Sequence, residues 1–204
     1  MMNLGACSSL RTGPETAVWY RAVQTAHWPT ALATAHTVRS PSRFSPARSA
    51  APAFPVLYLA ENHLVALYEV EALVGSPWPG GVMLSAPLRA WIILNVRVVL
   101  QQVADLCDVG EQTKLDTTAQ ELTGDWRSYM FRSSLTPVAG PTGPAPTQDL
   151  GQAHYGVPGL EGFRTPSARW PTHRNLVVFP DKLRRGSSIV YSDPATGQTH
   201  TIQP

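Results

Sequence analysis

The sequence predicts an α+β fold, and three observations carry that prediction. Runs of β-branched apolar residues and helical spacings both occur, but they do not alternate strictly as they do in parallel α/β proteins. The chain has 204 residues, the size of one ordinary domain. Of these, 43% are hydrophobic and 15% charged, enough apolar material for a core that hides roughly 70% of the unfolded chain's surface. The 15 glycines and 19 prolines add long irregular connections.

In chain order, Ala17–Val23 reads as a first strand with Arg21 planted inside it. Arg39–Pro55 carries four prolines and must be mostly extended loop. Val56–Ala60 is a short apolar run of the kind a buried strand makes. Asn62 is placed to cap a helix running to Val74, stopped by Gly75 and Pro77, with broad apolar positions that predict burial on most sides. Trp91–Leu100 has the strongest strand pattern, and Val103–Leu106 extends it or begins another. Residues 111–133 read as polar helix, with Leu115, Ala119 and Leu122 at helical spacing. Pro137–Pro146 is a loop, and Thr147–Tyr155 a short helix. Leu176–Phe179 is a buried strand, and Ser188–Tyr191 with Thr199–Ile202 forms a terminal hairpin around Asp-Pro-Ala-Thr-Gly-Gln.

Sixteen basic residues stand against 14 acidic ones, too small an excess for non-specific nucleic-acid binding. The excess is local: Arg11, Arg21, Arg39, Arg43 and Arg48 face only Glu15 within the first 60 residues, a distribution that suits one small polyanion. Cys7 and Cys107 make neither a disulfide framework nor a metal knuckle. The tetrad Leu4–Cys7 has the form of a lipoprotein box without the preceding apolar region. Ala90–Val96 is far too short to span a membrane. The expectation is a cytoplasmic protein with no membrane partner.

Glycine-rich phosphate loops, the Gly-x-Ser-x-Gly elbow and histidines at zinc-ligand spacing are all missing from the sequence, so no metal is expected. What remains are polar residues in apolar or special surroundings: Arg21, Arg43, Tyr58, Glu69 and Ser167. Each has an ordinary structural explanation when taken singly. Arg21 could point to solvent from an edge strand, and Arg43 could be a loop cation. Tyr58 could be a core ring with a wet hydroxyl, Glu69 a helix's wet stripe and Ser167 a turn cap.

Their order along the chain says more. Tyr20-Arg21, Ser42-Arg43-Phe44-Ser45-Pro46, Leu57-Tyr58-Leu59-Ala60, Ala66-Leu67-Tyr68-Glu69-Val70 and Gly162-Phe163-Arg164-Thr165-Pro166-Ser167-Ala168-Arg169, followed by Asn175–Phe179, together resemble the RES-domain family. The family's arginine, glutamate and serine match Arg21, Glu69 and Ser167. The resemblance covers about residues 18–181, leaving residues 1–17 as an extension and 182–204 as a C-terminal hairpin of one RES-like domain. The approach to Arg43 is poorer in glycine than is usual in the family, and Pro137–Pro146 looks like an insertion. The resemblance implies a bacterial toxin of a toxin–antitoxin pair, similar in fold to the ADP-ribosyltransferase toxins. It also implies NAD as substrate and an antitoxin with a helix-turn-helix DNA-binding region as partner.

Cleaving NAD between nicotinamide and ribose C1′ releases a neutral leaving group, so the barrier lies in the positive charge that builds on the ribose, as in glycosidases. A carboxylate beside the ribose lowers that barrier, and Glu69 suits the role. Arg21 and Arg43 suit the diphosphate. Tyr58 suits stacking on the nicotinamide, and Ser167 suits a bond to its amide or the adjacent ribose. Water, phosphate or a protein side chain all remain open as acceptor. The competing reading is a non-catalytic nucleotide- or nucleic-acid-binding module, resting on the Arg11–Arg48 cluster with Trp19, Tyr20, Trp28 and Phe44 interleaved.

Overall fold

The computed structural model describes residues 1–46, 53–73, 90–131 and 143–204. Two long strands form its spine. β1 (Thr12–Gln24) and β3 (Trp91–Asp105) pair antiparallel along almost their whole length, from Thr12 opposite Ala104 to Gln24 opposite Trp91. In β3 the buried Leu94, Val96, Val98 and Leu100 alternate with exposed Asn95 and Arg97, the period-2 pattern of a strand with one wet face. Its β-branched residues fit that pleated surface, which is why the whole of 91–105 forms one strand rather than two.

Five shorter strands complete the sheet: β2 (Leu57–Ala60), β4 (Gly162–Pro166), β5 (Arg174–Val178), β6 (Ser188–Ser192) and β7 (Thr199–Ile202). Their order is β1-β2-β5-β4-β3-β6-β7, with β1 also bonded to β3. The ribbon from β1 through β2, β5 and β4 to β3 therefore returns on itself. The β3–β4 pair is parallel and the other described pairs are antiparallel, so the sheet is mixed. β1 and β2 meet at a single position, Tyr20 opposite Ala60, and diverge elsewhere.

Alternation along these strands feeds two cores. Leu57 and Leu59 enter one with Trp19, Leu94 and Val96, whereas Tyr58 lies against the other, built on Phe44, Phe54, Phe163 and Phe179. Helix α1 (His63–Glu69) lies over a third, smaller cluster of Ala22, Ala60, Val65 and Ala66. Short helices α2 (Val109–Lys114) and α3 (Ala119–Thr123) follow β3, and α4 (Pro146–Gly156) precedes β4.

The α+β class holds, and several element limits need correction. The helix after Asn62 stops at Glu69 because Glu71 takes φ 60°, and its burial is one-sided, with Val65 and Ala66 buried and Leu64 exposed; Leu73, beyond its end, is exposed too. The segment 111–133 is broken rather than continuous: Asp116 has φ 51°, and Gly124 ends α3 before a 3-10 turn over Arg127–Phe131. Strand β4, read only as a motif in the sequence, is paired on both edges. Residues 137–142 of the proline-rich loop, together with Arg48, Val74, Gly75 and Pro77, lie outside the described residues.

Candidate active site

Glu69 is the last residue of α1, and both ends of that helix are tightly made. The Asn62 side chain accepts the Val65 amide at 2.9 Å, satisfying one orphan donor of the first turn. At the other end the Ala72 amide donates to the Leu67 carbonyl and the Glu71 amide to the Tyr68 carbonyl, the paired bonds of a Schellman motif with Glu71 in the left-handed position. Glycine is the usual occupant there. A glutamate carries backbone strain, and here its carboxylate binds Arg169 and, at 2.7 Å, Arg127. The end of α1 is thus fastened to the turn after β4 and to the segment after α3.

Ser167 follows β4 and opens a tight turn, closed by its own amide donating to the His173 carbonyl at 2.8 Å. Its buried hydroxyl donates to Glu69 Oε1 at 2.5 Å and accepts the amides of Trp170 at 3.1 Å and Arg169 at 3.3 Å. One donor and two lone pairs are thereby used up. Trp170 sets its ring edge against Tyr68 of α1, seating the turn on the helix. Two more donors reach Glu69 Oε1: the Ala168 amide at 3.1 Å and Asn175 Nδ2 of β5 at 2.7 Å. Glu69 Oε2 has no hydrogen-bond partner among the described residues.

Tyr58 and Arg43 come together through a clamped loop. The Tyr58 hydroxyl bonds Ser42 Oγ at 2.7 Å and accepts the Phe44 amide at 3.1 Å, holding the residues on both sides of Arg43. Burial pushes that phenol up to about 12, so it stays protonated. Gln148 of α4 donates to the Ser42 carbonyl, and Gly151 lets α4 approach the Phe44 carbonyl so closely that a Cβ would sit 1.9 Å from it. Arg43 Nη1 donates to the Gly124 carbonyl at 2.5 Å and to that of Leu122 at 3.3 Å. Loss of hydration lowers the Arg43 pKa, partly offset by the nearby charge of Glu69.

Arg21 stands apart from this group. It donates from Nη1 to the Tyr58 carbonyl at 3.1 Å, where β1 and β2 diverge, and its Nε is buried with no partner among the described residues. Burial lowers its pKa to about 10. Neither Arg21 nor Arg43 has a carboxylate partner among the described residues, and a desolvated cation in that condition favours an anionic ligand.

Of the residues singled out in the sequence, Glu69 and Ser167 are in direct contact, Tyr58 of β2 clamps the loop that carries Arg43, both within reach of Glu69's charge, and Arg21 joins them through the Tyr58 backbone. Among the described residues the wider arginine cluster does not assemble. Arg11 pairs with Asp108 and Arg39 is exposed, while Trp19 and Phe44 are core residues that cannot stack on bases. Asn175 and Arg169 were missed as site residues. An asparagine heading the apolar run Leu176–Phe179 was the available signal, since asparagine is depleted in strands. A cavity of about 300 Å³, lined by Gly124, Asp125, Trp126, Tyr129 and Thr147, shares Gly124 with the Arg43 contact rather than enclosing Glu69.

The family model of the RES domain matches residues 18–199. No curated protein matches the chain. Among solved structures, a chain of the M. tuberculosis MbcT–MbcA toxin–antitoxin complex shares the fold, with a TM-score of 0.66 at 18% sequence identity over 98% of this chain and 92% of that one.

Proposed function

The chain belongs to the RES-domain family, and from that premise we propose that it is an NAD-consuming toxin of a toxin–antitoxin pair that cleaves the nicotinamide–ribose bond. The observation that carries the reading is the Glu69 carboxylate, with three donors on one oxygen and none among the described residues on the other. A carboxylate so held is preorganised for charge that develops only as the reaction proceeds. In this reading Oε2 accepts a ribose hydroxyl and lies beside the oxocarbenium-like carbon as nicotinamide departs. Arg21 and Arg43 bind the diphosphate through guanidiniums that have no carboxylate partner among the described residues to compete. Ser167 acts through Glu69, because its own hydroxyl is already saturated, and Tyr58 holds the loop that presents Arg43 while its ring borders the nicotinamide. No metal is required, and the RES-like unit is taken as one domain over residues 1–204.

A partner protein follows from the danger of a free NAD-consuming activity to its host. The solved complex that shares the fold pairs a toxin with an antitoxin, and a corresponding antitoxin carrying a helix-turn-helix region fits here. A cytoplasmic location goes with the proposed substrate and partner; among the described residues no helix is long and apolar enough to cross a membrane.

Incubation of the purified chain with NAD tests the reading. Nicotinamide release is expected, with ADP-ribose as co-product in buffer and a phosphorylated ADP-ribose if phosphate is the acceptor. Absence of nicotinamide release with water, phosphate and protein acceptors alike would contradict it.

A further inference from the structure

Asn175 occupies an interior place in the sheet, opposite Ala60 of β2 on one side and Thr165 of β4 on the other. An asparagine there is unfavourable for the strand. Its Oδ1 is buried without a hydrogen-bond partner among the described residues, a cost that a small apolar residue would avoid. The amide's other end explains its presence: Nδ2 lies 2.7 Å from Glu69 Oε1. A carboxylate only accepts, so the NH₂ must face it and the carbonyl must take the unsatisfied side.

We propose that Asn175 is a positioning residue for Glu69. With the Ser167 hydroxyl and the Ala168 amide, it commits Oε1 to the protein and leaves Oε2 as the oxygen turned to substrate. Two of these donors, Ser167 and Ala168, belong to the one turn after β4. Asn175 comes from the neighbouring strand, so it fixes the carboxylate to the sheet itself. The inference rests on the proposed role of Glu69 in breaking the nicotinamide bond, but the geometry it concerns exists without substrate. Among the described residues, the charged and titratable groups near Glu69 include the Arg43 guanidinium and the Tyr58 phenol, both of which feel its charge, and Glu71, paired with Arg127 and Arg169.

Two variants test the assignment. Asn175→Ala removes the donor, and turnover is expected to fall at least ~10-fold while KM for NAD changes less than about 3-fold, the signature of an interaction used in the transition state. Asn175→Asp sets a second carboxylate against Oε1, and two such groups ionise together only with difficulty. The acid limb of kcat is then expected to move up by about one pH unit or more. In substrate-free protein, the ¹³C carboxyl resonance that Glu69→Gln deletes should titrate at a correspondingly higher pH than in the wild-type chain. A folded Asn175→Asp protein whose Glu69 resonance titrates as in the wild type would overturn the proposal. So would a folded Asn175→Ala protein with unchanged turnover, or loss of fold in both variants, which would make Asn175 a packing residue. If the wild-type chain released no nicotinamide, the proposed function would fall, while the resonance shift would still decide the role of Asn175.

Discussion

Arg21 and Arg43 are half-buried, and their guanidiniums have only carbonyl oxygens as hydrogen-bond partners among the described residues, whereas Arg127, Arg164, Arg169 and Arg174 each face a carboxylate. A pair of unpaired, desolvated cations is costly unless a ligand anion completes it. Arg21→Ala and Arg43→Ala are each expected to raise KM for NAD by roughly 10–150-fold, corresponding to loss of one charge-assisted bond of about 1.5–3 kcal/mol. Steady-state kinetics check this, and unchanged KM in both variants would remove the diphosphate assignment. At this scale the sequence was informative where a polar residue interrupted an apolar run, as at Arg21, Tyr58 and Glu69. It was silent where the decisive fact is which atom meets which. That the Ser167 hydroxyl is saturated by Glu69 and two amides, or that Asn175 reaches Glu69 across 106 residues, depends on strand order and not on local composition.

Among the elements, α4 does the most to support the site from a distance. Gly151 packs against the Phe44 carbonyl with no room for a Cβ. Gly151→Ala must therefore push the 42–45 loop away from α4. Overpacking of this kind costs about 1–3 kcal/mol, which for a domain of this size lowers the melting temperature by roughly 2–12 °C. Weaker NAD binding should accompany the fall, because Arg43 moves with the loop. The same helix carries His154, completely buried between Cys7 and the Phe163 ring, with Nδ1 2.9 Å from the Leu150 carbonyl. Burial lowers its pKa from 6.5 to about 4. The unfolded chain then takes up a proton below pH 6.5 that the folded chain refuses until about pH 4. Stability is complete above pH 6.5 and falls as pH drops toward 4, by about 3 kcal/mol in all at ~1.4 kcal/mol per pH unit. Urea unfolding at pH 7 and pH 4.5 measures this loss, and His154→Gln should remove most of it; a wild-type stability flat over that range would contradict the assignment. Strands with clear alternation, such as β3, were legible in the sequence, and so was the Asn62 cap. The end of α1 was not, because a left-handed glutamate at 71 stops the helix where glycine was expected to do so six residues beyond Glu69.

For the whole molecule, the returning ribbon of strands is what brings the two ends of the site together. β1 supplies Arg21, β2 supplies Tyr58, and β5 with the turn after β4 supplies the donors to Glu69. Such pairings join residues far apart in the chain, so a single sequence could indicate the α+β class but not the β1–β3 closure. Expression of the chain alone is expected to arrest growth and drain cellular NAD, with both restored by a co-expressed partner that forms a stable complex over the site. Growth curves and NAD assays on induced cells check this. Normal growth and unchanged NAD at high levels of soluble protein would count against a toxin.

Nicotinamide release by Glu69→Gln decides whether the Glu69 carboxylate does the chemistry. The substitution keeps the side-chain volume and removes the charge, separating electrostatics from packing at the end of α1. The expected result is a folded protein, by circular dichroism, that binds NAD with nearly wild-type affinity and turns it over at least ~100-fold more slowly. A folded Glu69→Gln protein that consumes NAD at more than about a tenth of the wild-type rate would contradict it.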